Sequence, residues 1–176
     1  MTSVVALLCG VNVGRAKRVP MAELRSLLEA LGYTNVKTIL NSGNAVFAST
    51  NRSTTAHAAS IHAAIVDKLA VDVTVIVKSA REMAAIASGN QLASGALDPS
   101  RLLVVFTDAS RAIEELAVLT SLVQPPEQLH TGEHAMYLWC ANGILESNAA
   151  AALLGKIGRN ATTRNWATVL KISALL

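Results

Sequence analysis

The sequence predicts an α+β protein of two ferredoxin-like halves, each a split βαβ arrangement with helices packed on an antiparallel sheet, plus a C-terminal helix. Two observations carry this. From Val4 to Lys78 the apolar periodicity runs strand, helix, strand, strand, helix, strand. After a polar stretch without periodicity, Asn90 to Ser100, the pattern restarts. The expected division is an N-terminal half over 1–89, a linker over 90–100 and a related C-terminal half over 101–176.

In chain order, Val4 to Leu8 is an apolar run of strand length, and Gly10 and Gly14 bracket the turn that follows it. Pro20 opens a helix, because its missing N–H has no partner in a first turn; Leu24, Leu27, Leu28 and Leu31 recur at helical spacing and Gly32 closes the element. Val36 to Leu40 and Ala45 to Phe47 are strands about an Asn41-Ser42-Gly43-Asn44 turn. Thr54 or Thr55 caps a helix to about Ala70, and Val71, Val73, Val75 and Val77 alternate as a half-buried strand does. Ser79 and Glu82 form a capping box for a short helix that Gly89 ends.

Beyond the gap, Leu102 to Phe106 is a strand, Ser110 to Leu119 a helix, Gln128 to His130 and Ala135 to Cys140 a hairpin, and Ser147 starts another helix. The closing strand is expected to be missing from this half. Gly155 and Gly158 frame a loop instead, and Thr162 or Thr163 caps the terminal helix.

With 52% hydrophobic residues the chain can build a packed core, and no apolar run reaches the roughly 20 residues of a membrane span. Met1 to Gly10 has no basic leader, so a soluble, cytoplasmic protein without a membrane partner is expected. Cys9 and Cys140 belong to no metal-spaced cluster and are expected as free thiols, with no metal and no cofactor. Charge is unevenly spread: residues 1–97 carry nine Lys/Arg against five Asp/Glu, residues 98–150 two against seven, and residues 151–176 four against none. Basic ends about an acidic middle suit an anionic partner.

Signatures of P-loop, dinucleotide, zincin and serine-hydrolase chemistry are absent. His57 and His62 stand five apart, about 140° around a helix, and make poor joint ligands; His130 and His134 flank a surface turn. Three polar segments remain. Asn12, Arg15, Lys17 and Arg18 hang on a glycine-bracketed loop after a strand, where backbone amides approach an oxyanion. Ser42 and Asn44 flank Gly43 in the hairpin turn. Thr163, Arg164 and Asn165 are expected at a helix N-terminus, which attracts anions. The hairpin turn is expected at the end of the sheet opposite the end of the first strand, which would separate the first two segments.

Leu8-Cys9-Gly10-Val11-Asn12-Val13-Gly14, Met21-Ala22-Glu23-Leu24, Asn41-Ser42-Gly43-Asn44-Ala45-Val46-Phe47 and Thr163-Arg164-Asn165-Trp166-Ala167-Thr168-Val169 together resemble the bacterial domain of unknown function family 1697, from about Val4 to about Leu170. The resemblance implies a two-part α+β protein with ferredoxin-like halves, and brings no activity, substrate or cofactor with it. Cys9 stands where that family's motif usually has Arg, so an Arg role there is lost or passes to Arg15 or Lys17.

Three functions follow as expectations. The first is a binding module for a small phosphate- or carboxylate-bearing anion through Asn12, Arg15, Lys17, Arg18, Ser42, Asn44, Thr163, Arg164 and Asn165. Nucleic acid is its weaker form, since aromatics are 3% of the chain and no stacking pair marks the strands. The second is an enzyme on a small phosphorylated or carboxylated substrate, with Ser42, Asn44 or Thr163 polarising it and no evident general base. The third is a protein–protein interaction domain. The sequence does not fix the oligomeric state.

Overall fold

The apolar run that ends at Leu8 forms β1 (Thr2–Leu8), and its residues from Val4 onward are all buried. The computed structural model describes residues 1–14, 17–108 and 110–176. After β1 come α1 (Met21–Ala30), β2 (Thr34–Ile39), β3 (Asn44–Ser49), α2 (Thr54–Leu69) and β4 (Val75–Ser79). The strands make one antiparallel sheet in the order β2-β3-β1-β4, the split βαβ topology. Val4, Ala6 and Leu8 share one face of β1, as period two requires, and join Leu24 and Leu28 of α1, Phe47 of β3 and Ile61 and Ile65 of α2 in a core.

Local chemistry sets the element ends. Pro20 stands immediately before α1, and Gly32, at φ +85°, follows its end. Ser53 rather than Thr54 or Thr55 caps α2, its Oγ accepting from the Ala56 amide at 3.1 Å. The valine alternation overstates β4: Val71 and Val73 precede the strand, although Val73 still packs in the core.

The hairpin turn does not lie opposite the end of β1. Asn44 pairs with Leu7, and Ile39 pairs with Asn44, so the turn stands beside the β1 terminus. The reason is directional. The helix α1 returns the chain to the start of the sheet, β2 then runs parallel to β1, and both finish at the same edge.

The chain continues through α3 (Ala80–Ser88), β5 (Leu102–Thr107), α4 (Ser110–Glu115) extended by a 3₁₀ helix over Leu116–Leu122, β6 (Gln128–Thr131), β7 (Met136–Trp139), a 3₁₀ turn at Ile144–Glu146, α5 (Asn148–Leu154), β8 (Ala161–Asn165) and α6 (Trp166–Ser173). The Ser79 and Glu82 box opens α3 as expected, with Glu82 Oε2 accepting from the Ser79 amide at 2.8 Å and Ser79 Oγ from the Glu82 amide at 3.2 Å. Ser147 caps α5 through the Ala150 amide at 3.1 Å. The second sheet has the order β6-β7-β5-β8, the same topology as the first.

Here the expectation of a missing closing strand is corrected. Residues Ala161–Asn165 form β8, paired antiparallel to β5 with Val104 opposite Arg164. Thr162 and Arg164 share one face of the strand and are buried while their neighbours are less so, the period-two pattern of a strand. The chain divides into two compact units, Met1–Met83 with Lys171–Leu176, and Ala84–Leu170. Among the described residues no helix is long and apolar enough to cross a membrane.

Candidate functional site

In the first unit, two of the polar segments meet. The Leu8 amide donates to the Gly43 carbonyl at 2.8 Å, so the hairpin turn closes onto the last residue of β1. Gly43 has φ +77°, and a Cβ there would lie 2.6 Å from Val11 Cγ2 and 2.7 Å from Leu8 Cβ. Only glycine permits both that angle and that approach.

Asn12 is the clasp between the segments. It sits at φ +57°, a left-handed conformation that asparagine tolerates. Its Nδ2 donates to the Val19 carbonyl at 2.8 Å and to the Asn41 carbonyl at 2.7 Å, its Oδ1 accepts from the Val19 amide at 3.0 Å, and its own amide donates to the Lys17 carbonyl at 2.9 Å. Val11 and Val19, both buried, pin the base of the loop. Asn44 does similar work in the turn. It is fully buried, and its Nδ2 donates to the Ile39 carbonyl at 2.8 Å and to Ser42 Oγ at 2.9 Å.

The amide hydrogens of Asn12 and Asn44 are therefore spent on the frame. Charge facing solvent comes from Lys17 and Arg18, both exposed; Arg18 Nη2 also reaches the Gly14 carbonyl at 3.3 Å. Gly10 and Gly14, at φ +63° and +58°, turn the loop on either side of Asn12. Arg15 lies outside the described residues.

Thr163, Arg164 and Asn165 belong to the second unit. The helix starts later than expected: the cap of α6 is Asn165, two residues beyond Thr163, its Oδ1 accepting from the Thr168 amide at 2.9 Å and from Thr168 Oγ1 at 2.8 Å. Arg164 is buried on β8, where its Nη1 donates to Thr162 Oγ1 at 2.7 Å and to the Thr163 carbonyl at 2.8 Å. A guanidinium so placed holds the strand together, a duty that the helix-cap reading missed. The sequence carried no apolar alternation to signal this strand, because the buried positions of Ala-Thr-Thr-Arg-Asn are polar.

The four histidines each have a neighbour in the fold. His57 is buried, with Nδ1 2.9 Å from Tyr33 Oη and Nε2 3.0 Å from the Asn51 carbonyl, and its ring meets Phe47 edge-on. His62 Nδ1 is 2.7 Å from the Val73 carbonyl. His130 stacks on Tyr137, and His134 stands 3.8 Å from Glu133. Burial pushes the Cys140 thiol up to about 11, so it carries no thiolate at neutral pH. Among the described residues no group of three His, Cys, Asp or Glu side chains could hold a metal ion.

Two antiparallel split βαβ units in tandem, the first with a clasped loop at the end of its central strand, define a mixed α/β protein class. The chain belongs to the family of proteins of unknown function DUF1697, whose model matches residues 1–137. A solved structure described as a conserved bacterial protein from Streptococcus pneumoniae is similar throughout, with a TM-score of 0.81 and 25% identity over 99% of this chain and 98% of that one. No protein of curated function matches the sequence.

Proposed function

We propose that the chain is a binding module for a small phosphate- or carboxylate-bearing anion, held at the loop between β1 and α1. The observation that carries this reading is the division of labour within the loop. Asn12 fixes the backbone from inside through three side-chain hydrogen bonds, while Lys17 and Arg18 remain exposed. Backbone held by the Asn12 side chain loses little entropy when an anion binds, so cations beside it bind more tightly than they would on a loose chain. Ser42 contributes a hydroxyl from the adjoining turn, and Arg15 adds a third cation in sequence.

Calorimetric titration with pyrophosphate tests the reading. A Lys17→Ala/Arg18→Ala chain should bind about tenfold or more weakly, the loss expected of charge-assisted hydrogen bonds. Equal binding by the two chains, or none by either, sinks it. A short single-stranded oligonucleotide run alongside should bind no better per phosphate than pyrophosphate, because aromatic residues, on which bases stack, are only 3% of the chain.

A further inference from the structure

We propose that the second unit carries a separate small-molecule site, at the carboxyl end of its central strand, for an organic oxyanion that also bears hydrogen-bond donors. Thr107 at the end of β5, Glu115 at the end of α4, and Lys156, Arg159 and Asn160 on the loop before β8 line one cavity of about 320 Å³. That volume lies at the lower end of ligand clefts, roughly 300–1,000 Å³, and suits a metabolite rather than a polymer. Its chemistry is directional. Two cations and an amide lie on the loop and a carboxylate on the α4 side, so a carboxylate or phosphate group goes toward Lys156 and Arg159 and a hydroxyl or amine toward Glu115.

The loop that supplies three of these residues is closely fitted. A Cβ on buried Gly158 would collide with the Leu153 carbonyl, so glycine alone lets the loop press onto the end of α5. The Ala161 amide then donates to the Gly158 carbonyl at 3.0 Å and leads directly into β8. The cavity wall combines these cations with Asn160 and the buried Thr107. Thr107 pairs with Ala161 across β5 and β8 as Leu8 pairs with Val75 across β1 and β4. The cavity thus occupies in its unit the topological place that the β1–α1 loop occupies in the other, yet it shares no residue with that loop and does not depend on it.

The test titrates the full chain with L-lactate, L-serine, sn-glycerol 3-phosphate and inorganic phosphate, followed by calorimetry and by ¹⁵N amide shifts. The expected result is binding of at least one organic probe with shifts at residues 156–161. It should weaken about tenfold or more in Lys156→Ala/Arg159→Ala and persist in Lys17→Ala/Arg18→Ala. Glu115→Gln should weaken the organic probe and spare inorganic phosphate. Carboxylates binding alone, or the phosphate ester alone, identifies the oxyanion and supports the site. No binding by any probe overturns the proposal, as does binding unchanged in the 156/159 variant while that variant keeps the parent's circular dichroism and melting temperature. Loss only in the 17/18 variant also overturns it, and assigns the anion to the first unit instead.

Discussion

Asn12 shows how one side chain decides the shape of a loop. Replacing it with alanine removes two donors and one acceptor from the carbonyls and amide of Asn41 and Val19 and leaves a left-handed residue without local support. A loss of about 2–3 kcal/mol in urea unfolding is expected, at roughly 1 kcal/mol per net hydrogen bond. Gly43 and Gly10 provide a matched pair. Both have positive φ, but a Cβ at Gly10 meets nothing within 4 Å, whereas at Gly43 it collides with Val11 and Leu8. Gly10→Ala should therefore cost about 1 kcal/mol, the backbone penalty alone, and Gly43→Ala about 1–3 kcal/mol more. Equal losses would show that the hairpin turn relaxes away from β1.

At the scale of elements, the start of α6 is the informative boundary. Asn165 accepts from Thr168, whereas Thr163 lies within β8, so Asn165→Ala should cost about 1 kcal/mol and Thr163→Ala should lack that cap term. The reverse order would restore the cap to Thr163. The same segment shows what was legible in the sequence. Regular elements whose apolar residues keep one period, such as β1, α1 and α2, could be read directly, and so could the tandem split βαβ order. β8 could not, because its buried positions are Thr162 and Arg164, polar residues that hydrogen-bond to each other within the strand. The joining of the Asn12 loop to the Gly43 turn was hidden for a different reason. It follows from which way β2 runs, a property of topology that neither segment's composition expresses. The cavity lined by Lys156 and Arg159 left one trace, four cations and no acids over residues 151–176, but Arg164, one of the four, is buried on β8 and bonded to Thr162.

For the molecule as a whole, one topology occurs twice with different buried groups, and those of the second unit respond strongly to alkaline pH. In the second unit Tyr137 is buried, donates to the Ile86 carbonyl at 2.6 Å, and has its phenol pushed by burial from 10.0 up to about 12. Burial likewise raises Cys140 from 9.0 to about 11, against the lowering effect of its hydrogen bond with Ser147. In both cases the neutral form is favoured by the fold, so folding raises the pKa. The resulting stability is complete below the unfolded values near 9 and 10 and is lost as pH rises through 11 and 12. Each group contributes on the order of 2 kcal/mol across that window. In the first unit burial raises Tyr33 as well. Amide exchange or residue-resolved NMR between pH 8 and 12 should then show protection falling around β5 and β7 as Cys140 and Tyr137 ionise. Cys140→Ala should remove the earlier part of that fall, and Tyr137→Phe the later part while lowering stability at neutral pH through the lost bond to Ile86. A chain whose β5 and β7 amides keep full protection to pH 12 would mean that neither group is held neutral by its surroundings.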